Sequence, residues 1–455
     1  MAPLSHATCT PAVAESRYSA RGGNAVDAVI AAGLTLAVTA PGSASLGGSG
    51  ALLLRRADGQ TFFLDFTAKP PATASPDREG IRGAALPGLL RGLEVAARNH
   101  GSKTWAELVR PAAKLASSGF QLLPTASTEL LEKPASDRLK KDPEAFRILL
   151  KSGKQFMTNE ILEQPELART LERIAARGAS DFYEGETARQ LVKALAAGGS
   201  TITAGDLKSV KVTESKPLEG AYRGHRILSA PSPLAGGAGL IDILSALDGS
   251  GFEKHEVDTA ASLHLRGELF RRAFAARTTV DLSREGNGGA AAVAADSRGN
   301  VAVLVITMGS RFGSAGMASG LGFLLNDELK NPQRLPAPAI ILKAGAPRLA
   351  LCGLGGPAGM TVASQILVDV IDFGIDVEQA LNSPRFHYQG LPGEFVLERS
   401  YPPHTRQGLE ERGHKLGTST VGLGEVEALG IGAPGTAIRF RGAVEGRAAG
   451  APRAY

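Results

Sequence analysis

The sequence predicts an α/β (α+β) protein with four layers in the order helix, sheet, sheet, helix. Three observations lead to this prediction: an almost wholly apolar helix followed by two short strands near the start of the chain, a long helical portion between residues 87 and 247, and an apolar hairpin with alternating strands and helices from residue 290 onward. Strands bracketed by helices on both sides must bury both of their faces. We therefore expect an αββα sandwich with a large helical N-terminal portion.

The first predicted helix covers residues 25–40. Asn24 is a good N-cap, the segment is apolar on nearly all faces, and Pro41 ends it. A glycine-rich turn at 45–50 leads into two strands, 51–56 and 61–66, which are separated by a polar turn. A helix that is apolar all round belongs in the interior, so we expect it to be buried.

Amphipathic periodicity dominates the next part of the chain. We predict that the whole stretch from Pro87 to Leu247 is mainly helical and that a further helix covers 257–276. The clearest helical periods are 87–99, 104–118, 166–177 and 186–197.

The pattern then changes to strands. Residues 290–296 and 301–307 form a predicted hairpin around a Ser-Arg-Gly-Asn turn, and both strands are apolar throughout. Further elements follow, with strands at 348–352, 395–398, 426–430 and 436–440 and helices at 361–372 and 377–382.

Composition excludes several classes of protein. The chain has 455 residues, of which 56 are glycine. Its formal charge is only +5 and its Lys and Arg residues are scattered, so the sequence shows no basic patch of the kind that binds nucleic acid. The apolar run 28–40 is too short to span a bilayer. Its 2 cysteines and 8 dispersed histidines show no disulfide or metal-ligand spacing. Without a secretory pattern at the N-terminus, we expect a cytoplasmic protein with no metal.

Several blocks, in a fixed order, carry a resemblance to a known family. They are Gly22–Ala28 with Leu46–Gly50, Tyr183–Glu186, Tyr222–His225, Phe312–Ser314 with Gly322–Asn326, and Ile371–Gly374 with Pro384–His387. Together they resemble the gamma-glutamyltranspeptidases, which are members of the N-terminal-nucleophile hydrolase superfamily. On this resemblance, residues 1–288 are similar to the family's large subunit and 289–455 to its small subunit, within one intertwined globular domain.

The resemblance implies a fold, a chemistry and a set of roles. Typical members have the αββα sandwich, cleave themselves before a Thr, and use that Thr to transfer or hydrolyse γ-glutamyl groups of glutathione-like amides. Two adjacent backbone amides stabilise the oxyanion, while an Arg, an Asp and a Ser pair hold the glutamyl group. No cofactor is implied.

The nucleophile position departs from the family pattern. In the family it lies seven residues before the Asp of an Asp-x-x-Gly-Asn turn, which here begins at Asp296, so the matching residue is Gly289. Residues 287–293 contain no Thr, Ser or Cys. We therefore predict a vacant nucleophile position, with loss of both self-cleavage and acyl transfer.

The residues expected to bind substrate also differ. Thr67 stands where the family has its Arg, and we expect Lys69 to lie about 7 Å from that spot. The remaining candidates on the binding side are Gly309 in place of an Asn, Glu328, Asn331 in place of the Asp, and Arg334 in place of a Ser. The turn whose two adjacent backbone amides stabilise the oxyanion in the family is the only one of these features that is retained, at Gly355 and Gly356. We call it the oxyanion turn.

Two functional hypotheses remain open. In the first, the chain is an uncleaved homologue without the family's chemistry, which binds a small amide or peptide and works as a partner of an active paralogue or of a second copy. In the second, it is an enzyme with a different acyl, amide or carbon-carbon substrate. It would then use Cys352, a hydroxyl within 307–314, or activated water, and Arg311 and Arg334 are candidates for binding an anion.

Overall fold

A computed structural model describes residues 22–73, 80–122, 130, 133, 135–153, 156, 160–232, 234–275, 288–330, 336–388, 393–419, 422–432 and 440–443. The helices in these ranges are α1 (Ala25–Thr39), α2 (Leu89–His100), α3 (Trp105–Ser118), α4 (Ala135–Leu139), α5 (Pro143–Leu149), α6 (Pro165–Arg177), α7 (Ser180–Tyr183), α8 (Glu186–Ala197), α9 (Ala204–Ser209), α10 (Ala235–Leu247), α11 (Ala260–Ala275), α12 (Gly356–Ile371), α13 (Val377–Asn382) and α14 (Pro403–Glu410).

The strands form two large sheets and two small ones. They are β1 (Ser49–Arg55), β2 (Thr61–Phe66), β3 (Phe120–Gln121), β4 (Ile161–Leu162), β5 (Thr213–Ser215), β6 (Leu218–Tyr222), β7 (His225–Ser229), β8 (Gly288–Ala295), β9 (Val301–Gly309), β10 (Ala337–Lys343), β11 (Ala346–Leu354), β12 (Phe386–His387), β13 (Phe395–Glu398), β14 (Leu416–Ser419), β15 (Glu425–Ile431) and β16 (Phe440–Ala443). The first sheet has the order β5-β2-β1-β9-β8 and the second β16-β15-β11-β10-β7-β6. Each therefore combines strands that lie before and after residue 288.

Three hydrophobic clusters show the layering. Alternate residues of the first sheet, such as Leu52 and Leu304, pack against the N-terminal helices. Their neighbours Leu53 and Val303 face the second sheet across a shared interior. The other face of the second sheet packs on helices that include α12. The αββα layering predicted from the sequence is thus present in the described residues.

Most of the predicted elements are confirmed. Helix α1 is buried almost throughout, and Asn24 and Asp27 form a reciprocal capping box at its start. The hairpin of β8 and β9 appears as predicted. The strand predicted at 395–398 also exists, but it lies in a separate sheet of β12, β13 and β14. The strand predicted at 436–440 falls largely outside the described residues.

The prediction of a mainly helical stretch up to Leu247 is wrong for β6 and β7. These strands form one edge of the second sheet and are joined by Arg223 and Gly224, both with positive φ (47° and 70°). Two consecutive left-handed residues are typical of the tight type I′ hairpin turn. Arg223 and Gly224 are therefore the feature of the sequence that indicates this hairpin. Strand β10, which sequence periodicity did not predict, joins β11 by a similar turn at Ala344 and Gly345.

The connection from β11 to α12 is tightly packed. A Cβ at Gly353 would lie 2.3 Å from the carbonyl oxygen of Gly359, and a Cβ at Gly359 would lie 2.2 Å from that of Leu354. Such contacts are far inside van der Waals distance, so glycine is required at both positions.

We predict that Gly359→Ala lowers the free energy of unfolding by about 2 kcal/mol or more, because the added methyl group would overlap the backbone of Leu354. The control is Gly205→Ala in α9, where the nearest atom to a new Cβ is 3.6 Å away. Urea denaturation followed by circular dichroism measures both. Equal unfolding midpoints for the two variants would contradict the packing argument.

Candidate functional site

The site is a row of residues across three neighbouring strands. Ser49 on β1 is paired with Thr307 on β9, and Thr307 is paired with Gly289 on β8. Directly paired residues present their side chains on the same face of a sheet. Ala51, Val305 and Ala291, two residues along each strand, belong to the cluster between the sheets. The row therefore faces the second sheet at one end of the sandwich.

Glu328 joins the two hydroxyl groups of this row. Its Oε1 lies 2.7 Å from Ser49 Oγ and 2.5 Å from Thr307 Oγ1, and the two hydroxyl oxygens are 2.9 Å apart. The two hydroxyl groups carry two protons between them, whereas the triangle has three contacts. All three contacts become hydrogen bonds only when the Glu328 carboxyl carries a proton.

Burial raises the pKa of Glu328 from its ordinary 4.5 to about 7. The neighbouring charge of Asp327 raises the pKa further, whereas hydrogen bonds from Thr307, Ser49 and the backbone of Ala68 lower it. A carboxyl group with this pKa exchanges its proton near neutral pH, which suits general acid or base chemistry.

Gly289 lies one residue into β8, and its backbone does not require glycine. Its φ is outside the left-handed region. A Cβ there would lie 3.2 Å from the carbonyl oxygen of Ile306 and 3.7 Å from Leu354 Cδ2. A side chain at this position would therefore require a small shift of the Ile306 carbonyl group, and it would lie close to the end of β11.

The two glycines of the expected oxyanion turn follow β11 directly. Gly355 and Gly356 both have positive φ, 89° and 67°, and Gly355 is the N-cap residue of α12. This conformation by itself favours glycine. The turn also places the N-terminus of a 16-residue helix next to Leu354, whose Cδ2 would lie 3.7 Å from a Cβ at Gly289. A helix N-terminus favours negative charge, as an oxyanion would require.

The prediction for Lys69 needs correction. Its Nζ is 3.5 Å from Thr67 Oγ1 and 3.6 Å from Asp65 Oδ2, because the long side chain folds back along the strand. The Lys69 ammonium group therefore lies beside Thr67. It also forms an ion pair with Asp65, whose Oδ1 accepts hydrogen bonds from the backbone N–H and the hydroxyl of Thr67.

The other predicted residues are only partly brought together. Gly309 is paired with Gly288 at the start of β8. Arg311 is half-buried, and its backbone carbonyl accepts a hydrogen bond from Arg138. Asn331 and Arg334 lie outside the described residues.

Cys352 lies in the core between the two sheets. It is fully buried, and its Sγ lies 3.8 Å from the carbonyl oxygen of Gly353. Burial raises the pKa of the thiol far above its ordinary value, which leaves no reactive thiolate at neutral pH. This environment fits a small buried hydrophobic residue.

Sequence reasoning missed Ser49. It lies within the Leu46–Gly50 block that contributes to the family resemblance, but that block assigns no role to Ser49 itself. Only its pairing with Thr307 and its contact with Glu328 mark it.

The chain is similar in sequence and in fold to several known proteins. The family model described as Gamma-glutamyltranspeptidase matches residues 19–284 and 279–455. The glutathione hydrolase proenzyme of Pseudomonas sp. (strain A14) is 30% identical over 91% of this chain and 86% of its own length. The acylase ACY 1 proenzyme of Pseudomonas sp. (strain V22) is 28% identical over 95% of this chain and 89% of its own length. Cephalosporin acylase from Bacillus halodurans has the same fold, with a TM-score of 0.81 at 22% identity over 96% of this chain and 92% of its own.

None of the helices in the described ranges is long and apolar enough to cross a membrane. No group of three or more His, Cys, Asp or Glu side chains in the same ranges is arranged to hold a metal ion.

We predict that stability falls as the pH rises from about 4.5 to about 7, partly through Glu328. In this window the folded state keeps the proton of Glu328 while the unfolded chain releases it, a contribution of roughly 3 kcal/mol. Glu328→Gln should remove this part of the slope, as measured by urea unfolding at several pH values.

Asp369 is the matched control for this prediction. Burial also raises its pKa to about 7, so Asp369→Asn should remove a separate part of the same slope. If Glu328→Gln and the wild type show the same pH dependence, the assignment of a proton to Glu328 is wrong.

Proposed function

The chain belongs to the gamma-glutamyltranspeptidase family, and on that premise we propose that it remains one uncleaved polypeptide. In this proposal it performs neither ordinary γ-glutamyl transfer nor glutathione hydrolysis, and it acts as a binding or partner subunit. Its ligand would be a small amide or a peptide. Its partner would be an active paralogue or a second copy of the chain, in the cytoplasm.

The main support for this proposal is that residue 289 is a glycine and has no side chain. It occupies the position that resembles the family's nucleophile, and residues 287–293 contain no hydroxyl or thiol side chain. Its φ lies outside the left-handed region, so the backbone conformation at this position does not favour glycine. Removal of a nucleophile of this kind costs a factor on the order of 10⁶ in kcat.

The altered binding residues support the same conclusion. Thr67 replaces the Arg that the resemblance leads us to expect, and the nearby Lys69 ammonium is paired with Asp65. Gly309 replaces an Asn and carries no polar side chain. Losing a desolvated, hydrogen-bonded charge contact typically costs about 2–5 kcal/mol. A γ-glutamyl group would therefore lose much of its recognition.

A second candidate function is hydrolysis of another amide or acyl compound by the same fold. The observation that favours it is the contact of Glu328 with two hydroxyl groups in the same row as Gly289. Fold alone does not choose between the two candidates, because one fold supports many activities.

We expect the purified full-length chain to run as a single band near 47 kDa on a denaturing gel. It should release no chromophore from a γ-glutamyl anilide, because residue 289 has no side chain with which to attack. The glutathione hydrolase proenzyme of Escherichia coli, which is 28% identical, serves as the active comparison.

N-terminal sequencing completes this experiment. A second fragment that begins with Thr, Ser or Cys would show that the nucleophile lies elsewhere in the chain. Sustained glutamate release by the wild type would equally contradict the proposal.

A further inference from the structure

Thr307 and Glu328 form a buried hydroxyl–carboxyl pair beside the vacant position. We propose that they act as nucleophile and general base in hydrolysis of an amide or ester by the uncleaved chain, with Ser49 as a positioning residue. This inference rests on one part of the proposed function, an uncleaved chain with no nucleophile at residue 289, and it gives residues to the second candidate function, hydrolysis of another amide or acyl compound.

The first argument is the location of Thr307. It is the direct partner of Gly289 on the neighbouring strand, so a side chain at 289 would lie about 4.5–5.5 Å from that of Thr307. Among the described residues, only the Ile306 carbonyl oxygen and Leu354 Cδ2 come within 4 Å of a Cβ at 289. An acyl group that enters the space of the missing side chain therefore comes within reach of the Thr307 hydroxyl.

The second argument is the contact between Thr307 and Glu328. A separation of 2.5 Å between Oγ1 and Oε1 is within the range of strong hydrogen bonds to a carboxylate. Ser49 holds the same Oε1 at 2.7 Å and fixes the carboxyl group against the strand pair. A nucleophile, a base within hydrogen-bond reach and a group that orients the base are the parts that activate a hydroxyl.

The reaction balances with these groups and water alone. Thr307 Oγ1 attacks the carbonyl carbon while its proton passes to the Glu328 carboxylate. Collapse of the tetrahedral intermediate breaks the bond to the amine or alcohol, which takes the proton from Glu328. Water then attacks the Thr307 ester with Glu328 again as base, so that the acid is released and the hydroxyl of Thr307 is restored.

The start of α12 offers the place for the developing negative charge. Gly355 and Gly356 follow Leu354, whose side chain borders the vacant position. Backbone N–H groups at a helix N-terminus stabilise an oxyanion without reorganisation.

The test uses the full-length chain and p-nitrophenyl acetate. We expect a burst of p-nitrophenol and an acetyl group on the peptide that contains Thr307, located by tandem mass spectrometry. Thr307→Val and Glu328→Gln should each reduce the burst rate by at least about 100-fold. The matched control is Thr35→Val, which removes a buried hydroxyl that bonds only within α1 to the carbonyl of Ala31 and should leave the burst unchanged.

The pH profile tests the role of Ser49. The burst rate of the wild type should rise with pH as Glu328 ionises, with a midpoint near its pKa of about 7. Among the residues that the structure describes, the groups acting on Glu328 are the hydroxyl groups of Thr307 and Ser49, the Ala68 N–H and the Asp327 carboxylate. Ser49→Ala removes a hydrogen bond that favours the ionised form, so the midpoint should move to higher pH. A merely structural role would change the amplitude without this shift.

The outcomes separate this inference from the proposed function. If the wild type is one chain and carries no acetyl group on Thr307, or carries it on Cys352 or Ser49 instead, the Thr307–Glu328 pair is overturned while the single-chain proposal stands. If the wild type is found as two fragments, the single-chain proposal fails and takes this inference with it.

Discussion

The antiparallel register of β1, β9 and β8 is the constraint on which the rest of the site depends. It places Ser49, Thr307 and residue 289 in one row on the face between the sheets. A shift of one residue would turn the whole row toward the helical layer. Apolar residues on the same face of these strands, such as Leu53 and Val303, hold the register because they belong to the inter-sheet core. The packing of the sandwich therefore decides which side chains meet at its end.

A carboxyl group in this interior needs partners. Glu328 is almost fully buried, and among the described residues its carboxyl group contacts two hydroxyl groups and the backbone N–H of Ala68. Burial favours the protonated form, which explains why the pKa rises despite these bonds. Burial and these hydrogen bonds together set the pKa of Glu328 at about 7, so its carboxyl group can hold or release a proton near neutral pH.

The glycines near the site are of two kinds. Gly353 and Gly359 are required by close backbone contacts, and Gly355 by its left-handed conformation. Their presence thus follows from the fold whether or not a reaction occurs. Gly289 differs from both kinds, because its φ is outside the left-handed region and its nearest contact, 3.2 Å from a Cβ to the Ile306 carbonyl oxygen, is less severe than those at Gly353 and Gly359.

The sequence by itself determined the layers, most of the elements and the identity of residue 289. Helix α1 and the β8–β9 hairpin were predictable because their apolar patterns and turn residues act locally. Only the tertiary structure showed that Lys69 folds back beside Thr67 and that Ser49, Thr307 and Glu328 share three contacts. Ser49 and Glu328 are 279 positions apart in the chain. Contacts over such distances depend on strand pairing and burial, which cannot be predicted from a local sequence pattern.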